Sequence, residues 1–448
     1  MAERMKENLL VEKKVVDLVV GPDAYRSLPQ LLDEVGSGQR AVNVLLSREE
    51  TYGEIVPVRL NTNGVTAFVT IMRGCDNMCA FCVVPFTRGR ERSRDPHTIV
   101  NECEQLVTEG YKEVTLLGQN VDSYKWKESR GEGAAEAQSM PVGSQGRGEN
   151  SERIAAEARR RGEEGVPALG HVDFADLLEM VATACPTLRI RYSTSHPKDM
   201  TDKVLEVMAQ YDNICKYIHL PVQSGSSAVL KRMNRGYDRD WYMGRVASIR
   251  KYMPDCAIST DIISGFCGET DEDHQATLDM LNEVSYDMAY MFKYSERPKT
   301  LAARKHADDV PEAVKGKRLT EIIETQKLNS AKRMATYVDQ VHEVLVEGVS
   351  KRSNQNMYGR NTQNSVVIVP RFASYQLSVV GCQAAVGDDE RVAHSAADSM
   401  TDRTTDNEQL TTIELKPGDI VRVRIVSATA GSLHGEPIEM VNAFAQEA

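Results

Sequence analysis

From Val65 to Phe292 the sequence alternates short apolar runs with stretches of helical period, and this restricts the chain to an α/β fold built on a parallel sheet. The strand candidates are Val65–Met72, Glu113–Leu117, Leu188–Tyr192, Lys216–Leu220, Ala257–Ile263 and Asp287–Phe292. Between them fall amphipathic helices such as His97–Gly110, which sets Ile99, Val100, Cys103, Leu106 and Val107 on one face, so that Cys103 reads as core. Right-handed crossovers bring the C-terminal end of every strand to one side of a sheet that is curved or closed into a barrel. After the first strand comes a cysteine-bearing loop. The others end in Gly118-Gln119-Asn120, Ser193-Thr194-Ser195-His196-Pro197, Pro221-Val222-Gln223-Ser224-Gly225-Ser226, Gly265-Phe266-Cys267-Gly268-Glu269-Thr270 and Lys293-Tyr294-Ser295. Polar loops gathered at that end form a rim suited to a polar cofactor.

The first loop carries Cys75, Cys79 and Cys82, a C-x3-C-x2-C spacing within eight residues. Such a loop wraps three thiolates around one compact centre and supplies no fourth. In a cubane iron–sulfur cluster each iron needs a ligand, so three thiolates leave one iron open, as catalytic metal sites keep a position free. A zinc site or unrelated buried cysteines are the alternatives, although structural zinc usually adds a second cysteine pair downstream and none follows. Phe81, between the last two cysteines, lies where an aromatic ring can meet an adenine. His196 and His219 stand at strand ends and read more readily as satisfied polar residues than as bases, and Asp261 reads as structural.

Arg88, Arg90, Arg92 and Arg94 recur at every second position after the cysteines. In an extended chain their guanidinium groups share one face and suit phosphate oxygens of RNA or cofactor; salt bridges to acidic helices are the alternative. No G-x-G-x-x-G follows a strand and no P-loop is found, which disfavours a dinucleotide-binding enzyme.

The string Arg73 to Arg94 resembles the cluster loop of radical S-adenosylmethionine (SAM) enzymes, and FCVVPFTRGRERSR resembles, more narrowly, the methylthiotransferases that modify isopentenyladenosine in tRNA. The other strand-end strings are similar to that family's pattern, including LLGQNV followed by Tyr124. The resemblance implies a partial (β/α)6 radical-SAM barrel. It implies a [4Fe–4S] cluster at Cys75, Cys79 and Cys82 whose open iron is chelated by SAM, with Phe81, Gly118, Gln119, Asn120, Ser195 and Gln223 as cofactor-binding residues. In the family the 5′-deoxyadenosyl radical removes hydrogen from C2 of the adenine, a second [4Fe–4S] cluster supplies sulfur, and another SAM supplies the methyl group. The implied partners are tRNA and an electron donor such as flavodoxin or ferredoxin. Related enzymes act on threonylcarbamoyl-adenosine or a ribosomal protein, and a truncated relative that binds RNA without turnover is the non-enzymatic alternative.

At 448 residues the chain has room for two or three domains. Residues 1–60 read as a short helix, a buried strand at Val15–Val20 and a helix over Tyr25–Val35, the last part of an α/β domain. Residues 61–336 hold the radical-SAM barrel, interrupted at 127–170 by a Gly-, Glu- and Arg-rich insert with few large apolar residues, which reads as disordered. Residues 337–448 turn to β, with strands at Glu343–Glu347, Ser365–Val369, Tyr375–Val380 and Asp419–Val426 and an acidic insert at 384–412. They resemble the TRAM domain, a small antiparallel RNA-binding barrel, and Lys351, Arg352, Arg360, Arg422 and Arg424 give it a basic face. The net charge of −11 argues only weakly against nucleic acid, since an average misleads where acid is concentrated in an insert such as Asp388–Glu408, with seven acids and two arginines. Without a run of eighteen apolar residues nothing spans a membrane. Nine cysteines, an odd number, suit a reducing compartment: the cytoplasm of a bacterium, or the mitochondrion or plastid of a eukaryote.

The chain departs from the resemblance at one point. The family's second cluster is held by three cysteines in the N-terminal domain, and no cysteine precedes Cys75; Cys185, Cys215, Cys256, Cys267 and Cys382 are dispersed. Residues 1–448, reconstituted with iron and sulfide, are therefore expected to hold about four irons rather than about eight by iron analysis.

Overall fold

The computed structural model describes residues 16–53, 59, 62–127, 171–376 and 410–441. The helical pattern before residue 16, the insert over 128–170, Cys382 and nearly all of the acidic insert lie outside the described residues. The chain forms two compact units, Met1–Ser330 and Ala331–Ala448.

The first unit opens with two parallel strands, β1 (Leu18–Val20) and β2 (Ala41–Asn43), joined through a single helical turn and the helix Leu28–Gly36. Six further strands, β3 (Thr66–Thr70), β6 (Glu113–Leu117), β9 (Arg189–Ser193), β10 (Tyr217–His219), β11 (Ala257–Ser264) and β12 (Met288–Lys293), carry the site, with helices between them. The short strands β4 (Met72–Arg73) and β5 (Arg92–Ser93), and β7 (Lys125–Trp126) and β8 (Val172–Asp173), form two antiparallel ladders beside them. β3, β6 and β9 pair in parallel, as do β10, β11 and β12. A parallel bridge between Ile190 and Ile214 links the two halves. The strand order thus follows the chain order, as successive βα units require.

The pleat explains which residues went where. Ala67, Val69, Val114, Leu116, Ile190, Ile218, Ile258 and Ile262 alternate onto one face and are buried in a single apolar core with the helices. The opposite face carries Phe68, Thr115, Arg191, His219, Asp261, Tyr290 and Phe292, and the edge-strand aromatics stay exposed, Phe68 by 65% and Phe292 by 54%. Asp95, Thr201, Asp238 and Thr270 cap helix N-termini with their side chains, so that each helix starts at a fixed distance from the strand before it. The helix Glu312–Ala335 is held at its first-unit end by Gln326 donating to the Tyr286 carbonyl at 2.8 Å and Ser330 to that of Asp287 at 2.9 Å.

The second unit closes a five-stranded barrel from β13 (Val341–Val349), β14 (Asn356–Asn361), β15 (Val366–Pro370), β18 (Ile420–Ala428) and β19 (Leu433–Met440), in the order β13-β14-β15-β19-β18. β16 (Phe372–Gln376) and β17 (Leu410–Glu414) pair as a separate two-stranded antiparallel sheet, and residues 377–380 of the expected strand lie outside the described residues. The barrel corrects the antiparallel expectation at one seam: β15 and β19 run parallel, because this small sheet and the chain beyond it intervene between them. β14 and β19 were not expected as strands, since Gly359, Gly435 and Pro437 interrupt their β-branched character, yet Met357, Gly359 and Asn361 alternate inward.

Gly225, in the loop after β10, donates its N–H to Thr277 Oγ1 at 2.9 Å, and a Cβ there would lie 2.3 Å from the Ala276 carbonyl oxygen and 2.5 Å from Thr277 Cα. Gly225→Ala is expected to destabilise the first unit by roughly 1–3 kcal/mol, read as a lower urea midpoint with an unchanged far-UV spectrum in native buffer.

Candidate active site

The cysteine loop leaves β4 and crosses the C-terminal ends of the parallel strands, and residues from those ends fasten it. Gln119, after β6, accepts the Gly74 N–H at 2.6 Å. Gly74 sits at φ +74°, and a Cβ there would lie 2.0 Å from the Arg90 carbonyl oxygen, so the loop can enter only through glycine. Asp199, in the turn after β9, accepts from Asn77 and from Asn120 through the same oxygen, each at 2.7 Å. Asn234 donates to the Met78 carbonyl at 2.7 Å, the Ala80 N–H donates to Met233 at 2.8 Å, and the Ala302 N–H donates to Ala80 at 2.7 Å.

Beneath the loop, Ala80 joins Val229, Met233, Phe266, Cys267, Tyr294 and Ala302 in an apolar cluster, with Phe81 packed against it. Ser195 and Gln223 are buried at the rim. Thr194 at φ +71° and Gln223 at φ +76° hold strained left-handed conformations at two strand ends. The Thr194 hydroxyl donates to the Gly118 carbonyl at 2.5 Å, the Val121 N–H donates to the Thr194 carbonyl at 3.1 Å, and the Gln223 N–H donates to the Asp261 carbonyl at 2.9 Å. Strain kept at two neighbouring loops is usual where a ligand dictates the backbone path.

Cys75 and Cys79 are buried and Cys82 is half-buried, all three as free thiols. Burial pushes the Cys75 thiol up to about 12, an effect that the Asn77 N–H opposes and Cys79 and Cys82 reinforce; burial also raises Cys82. Thiols raised in this way, Cys75 and Cys82, give up their protons readily to a strongly cationic partner such as a metal centre. Among the described residues no three His, Cys, Asp or Glu side chains are gathered as ligands of one ion would be, whereas thiolates on a cubane each take a separate iron. The donor set fits a [4Fe–4S] cluster.

Arg235, Glu91 and Asp122 went unnoticed in the sequence, whereas His196 reads there as a satisfied polar residue. Arg235 is buried and donates to Cys79 Sγ at 3.2 Å. His196 Nε2 lies 3.9 Å from the same sulfur, and burial, with Arg235 and Lys198 adding to it, lowers its imidazole to about 2 and keeps it neutral. Glu91 accepts from the Ser123 hydroxyl at 2.6 Å and is pushed up to about 7 by burial, with Asp76 and Asp199 adding to the shift. Asp122 is pushed up to about 7 by burial, which the Ser195 hydroxyl and the His196 N–H offset only in part.

The arginine run is a correction. Arg92 is buried, donating to Asp23 at 2.9 Å and to the Arg88 carbonyl at 2.9 Å. Arg94 is buried against Glu102 at 2.5 Å and the Thr98 carbonyl at 3.0 Å. Only Arg92 and Ser93 are in strand, and Gly89 turns the chain at φ +78°, so the four guanidinium groups do not share a face. Arg88 and Arg90 alone remain exposed, Arg90 beside Asp76 at 3.3 Å. The basic residues of the barrel also divide. Arg360 makes a two-point contact with Glu347 at 2.8 and 2.9 Å, and Arg422 meets Glu439 at 2.9 Å. Arg424 is exposed on β18, while Lys351 and Arg352 stand at a groove of about 440 Å³ that Tyr358 and His434 also line.

Asp122 permits a pH test. Its folded pKa of about 7 exceeds the ordinary 3.8, so between those values the folded state holds a proton that the unfolded state has lost, and stability falls as pH rises through that window. Asp122→Asn, which cannot ionise, is expected to gain in thermal midpoint over the parent chain as pH is raised from 5 to 7, and to gain no more above it.

Residues 69–281 match the Radical SAM superfamily. The tRNA-2-methylthio-N(6)-dimethylallyladenosine synthase of Amoebophilus asiaticus (strain 5a2) is 57% identical over 371 residues, 83% of this chain and 71% of that protein. The synthase of the same name from Christiangramia forsetii is 47% identical over 438 residues, 98% of this chain and 77% of that protein. Among solved structures, the radical SAM enzyme coproporphyrinogen III oxidase from Escherichia coli aligns at 14% identity and a TM-score of 0.35, covering 66% of this chain and 67% of that one. With that identity carried across most of its length, the chain belongs to the tRNA-2-methylthio-N(6)-dimethylallyladenosine synthase family of radical SAM enzymes.

Proposed function

We propose that this protein is a radical-SAM methylthiotransferase that adds a methylthio group to C2 of N6-isopentenyladenosine beside the anticodon of tRNA. The observation that carries the reading is the trio of thiols, two buried and one half-buried, on a loop fastened from the strand ends, in a chain 57% identical to a synthase of that name. Cys75, Cys79 and Cys82 would hold a [4Fe–4S] cluster, which together with SAM would supply the one-electron chemistry needed at a C–H bond beyond the reach of acid–base groups.

The chain's own residues bind, orient and shield. Gln119, Asn120 and Asp199 fix the loop's path, and the apolar cluster beneath the loop packs against Ala80 and Phe81. Asn120, Ser195 and Gln223, buried at the strand ends, are the groups we assign to SAM, and Phe81 to the edge of its adenine. The exposed aromatic face of β3 and β12, with Phe68, Tyr290 and Phe292, offers contact for a planar base bearing an apolar five-carbon chain. Cys103, Cys185, Cys215 and Cys256 are buried apart from the loop and Cys267 lies in the apolar cluster beneath it; we assign all five to the core. The electron donor we expect is a small low-potential protein such as flavodoxin or ferredoxin. Among the described residues no helix is long and apolar enough to cross a membrane.

Replacing Cys75, Cys79 or Cys82 by alanine is expected to abolish the absorbance of the reconstituted cluster and all 5′-deoxyadenosine formation under dithionite; wild-type rates in any of them would remove the radical reading. Substrate identity is read by nucleoside mass spectrometry. A strain deleted for this gene should lose 2-methylthio-isopentenyladenosine and accumulate isopentenyladenosine, and an unchanged nucleoside profile would send the activity elsewhere. For RNA, Lys351 and Arg352 are the phosphate-facing pair we favour. The double alanine variant should bind unrelated tRNAs more weakly by a similar factor, with a slope of log affinity against log salt shallower by about two.

A further inference from the structure

Four buried arginines in the first unit face carboxylates: Arg92 meets Asp23, Arg94 meets Glu102, Arg191 meets Glu113 and Arg318 meets Glu269. Arg235 differs. It is 5% exposed, and the groups its nitrogens reach are Cys79 Sγ at 3.2 Å, the Pro221 carbonyl at 2.7 Å and the Tyr237 hydroxyl at 3.0 Å. The guanidinium also lies 5.4 Å from the centre of the Tyr237 ring. None of these partners is a carboxylate. A guanidinium cannot shed its charge, and a buried charge without a counter-ion is costly, so the arrangement is complete only when an anion occupies the Cys79 side of the group.

We propose that Arg235 is a positioning residue for the cluster reading above, on which this inference rests: its N–H donates to the Cys79 thiolate and its charge raises the reduction potential of the bound cluster. Three thiolates make a cubane cluster net anionic, and reduction adds one more negative charge with no bond formed or broken. A fixed cation beside a ligand sulfur favours the more negative, reduced state, and hydrogen bonds to the sulfurs act in the same direction. The placement is built in. Arg235 follows the helix Ser227–Arg232, whose end is tied to the cysteine loop by the Ala80 N–H on Met233 and by Asn234 on Met78, and Tyr237 holds the Nε edge while its own hydroxyl donates to Pro221 at 3.1 Å. Cysteine and arginine are thus fixed to one another through backbone on both sides.

The test is a potentiometric titration of the full chain, reconstituted with iron and sulfide and reduced by dithionite through mediators, with iron content measured on each sample. Arg235→Met removes both charge and donor and should move the midpoint to more negative potential by at least a tenfold change in the reduced-to-oxidised ratio at fixed poise, about 59 mV for one electron. Arg235→Lys keeps the charge and should recover part of that shift. An Arg235→Met chain with wild-type iron content and wild-type midpoint would overturn the inference while leaving the cluster reading intact. Failure of the wild-type chain itself to take up a cluster would remove both. Should Arg235→Met not hold a cluster, Tyr237→Phe decides: a smaller shift of the same sign supports the inference, and an unmoved midpoint overturns it.

Discussion

Three thiols gathered at the mouth of a parallel sheet, two of them buried and the third half-buried, are the constraint on which the rest of the first unit depends. A buried thiol resists ionisation, so the loop is stable as a thiolate site only in the presence of concentrated positive charge. A metal centre would supply most of that charge, and the protein prepares the surroundings in which it could do so. A short loop cannot by itself keep Cys75 and Cys79 buried, because its backbone N–H and carbonyl groups would lose water without replacement. The structure answers this with bonds from four directions: Gln119 after β6, Asp199 after β9, Met233 and Asn234 after the helix that follows β10, and Ala302 beyond β12. Parallel topology makes this possible, since it delivers every strand end to the same side.

The same economy of position explains the neighbouring charges. Arg92 and Arg94 tie the segment after the cysteines to Asp23 and Glu102, so that the exit of the loop is as fixed as its entrance. Ion pairs this buried contribute less to net stability than to a defined geometry, because desolvation offsets much of their attraction. Burial, with neighbouring carboxylates adding to it, raises Glu91 and Asp122 toward neutrality beside the cysteine loop, which lowers repulsion toward an anionic group there.

Much of this was legible in the residues and some could not be. The β-branched runs at Glu113–Leu117 and Ala257–Ser264 fixed their strands almost to the residue, and their parallel order followed from the helices between them. The cysteine spacing and its neighbours pointed to the chemistry that identity to the synthases supports. What failed was any inference needing tertiary partners. The every-second-residue arginines look like one exposed edge only if the chain is extended, and the turn at Gly89 together with Asp23, sixty-nine residues before Arg92, puts two of them inside. Arg235 and Asn234 reach the loop across 156 residues, and Asn77 meets Asp199 across 122, distances over which no local pattern carries a signal. In the barrel, β14 and β19 were hidden by glycine and proline, because alternation of burial there rests on few apolar side chains.

The claim at the centre of this account is that Cys75, Cys79 and Cys82 hold a cluster with one iron open to SAM. Electron paramagnetic resonance of the reconstituted, dithionite-reduced chain tests it most directly, with and without SAM. The account predicts the signal of a reduced [4Fe–4S] cluster whose g values change when SAM is added, because SAM then ligates the open iron. A cluster signal indifferent to SAM, or none from a chain that has taken up iron, would contradict it.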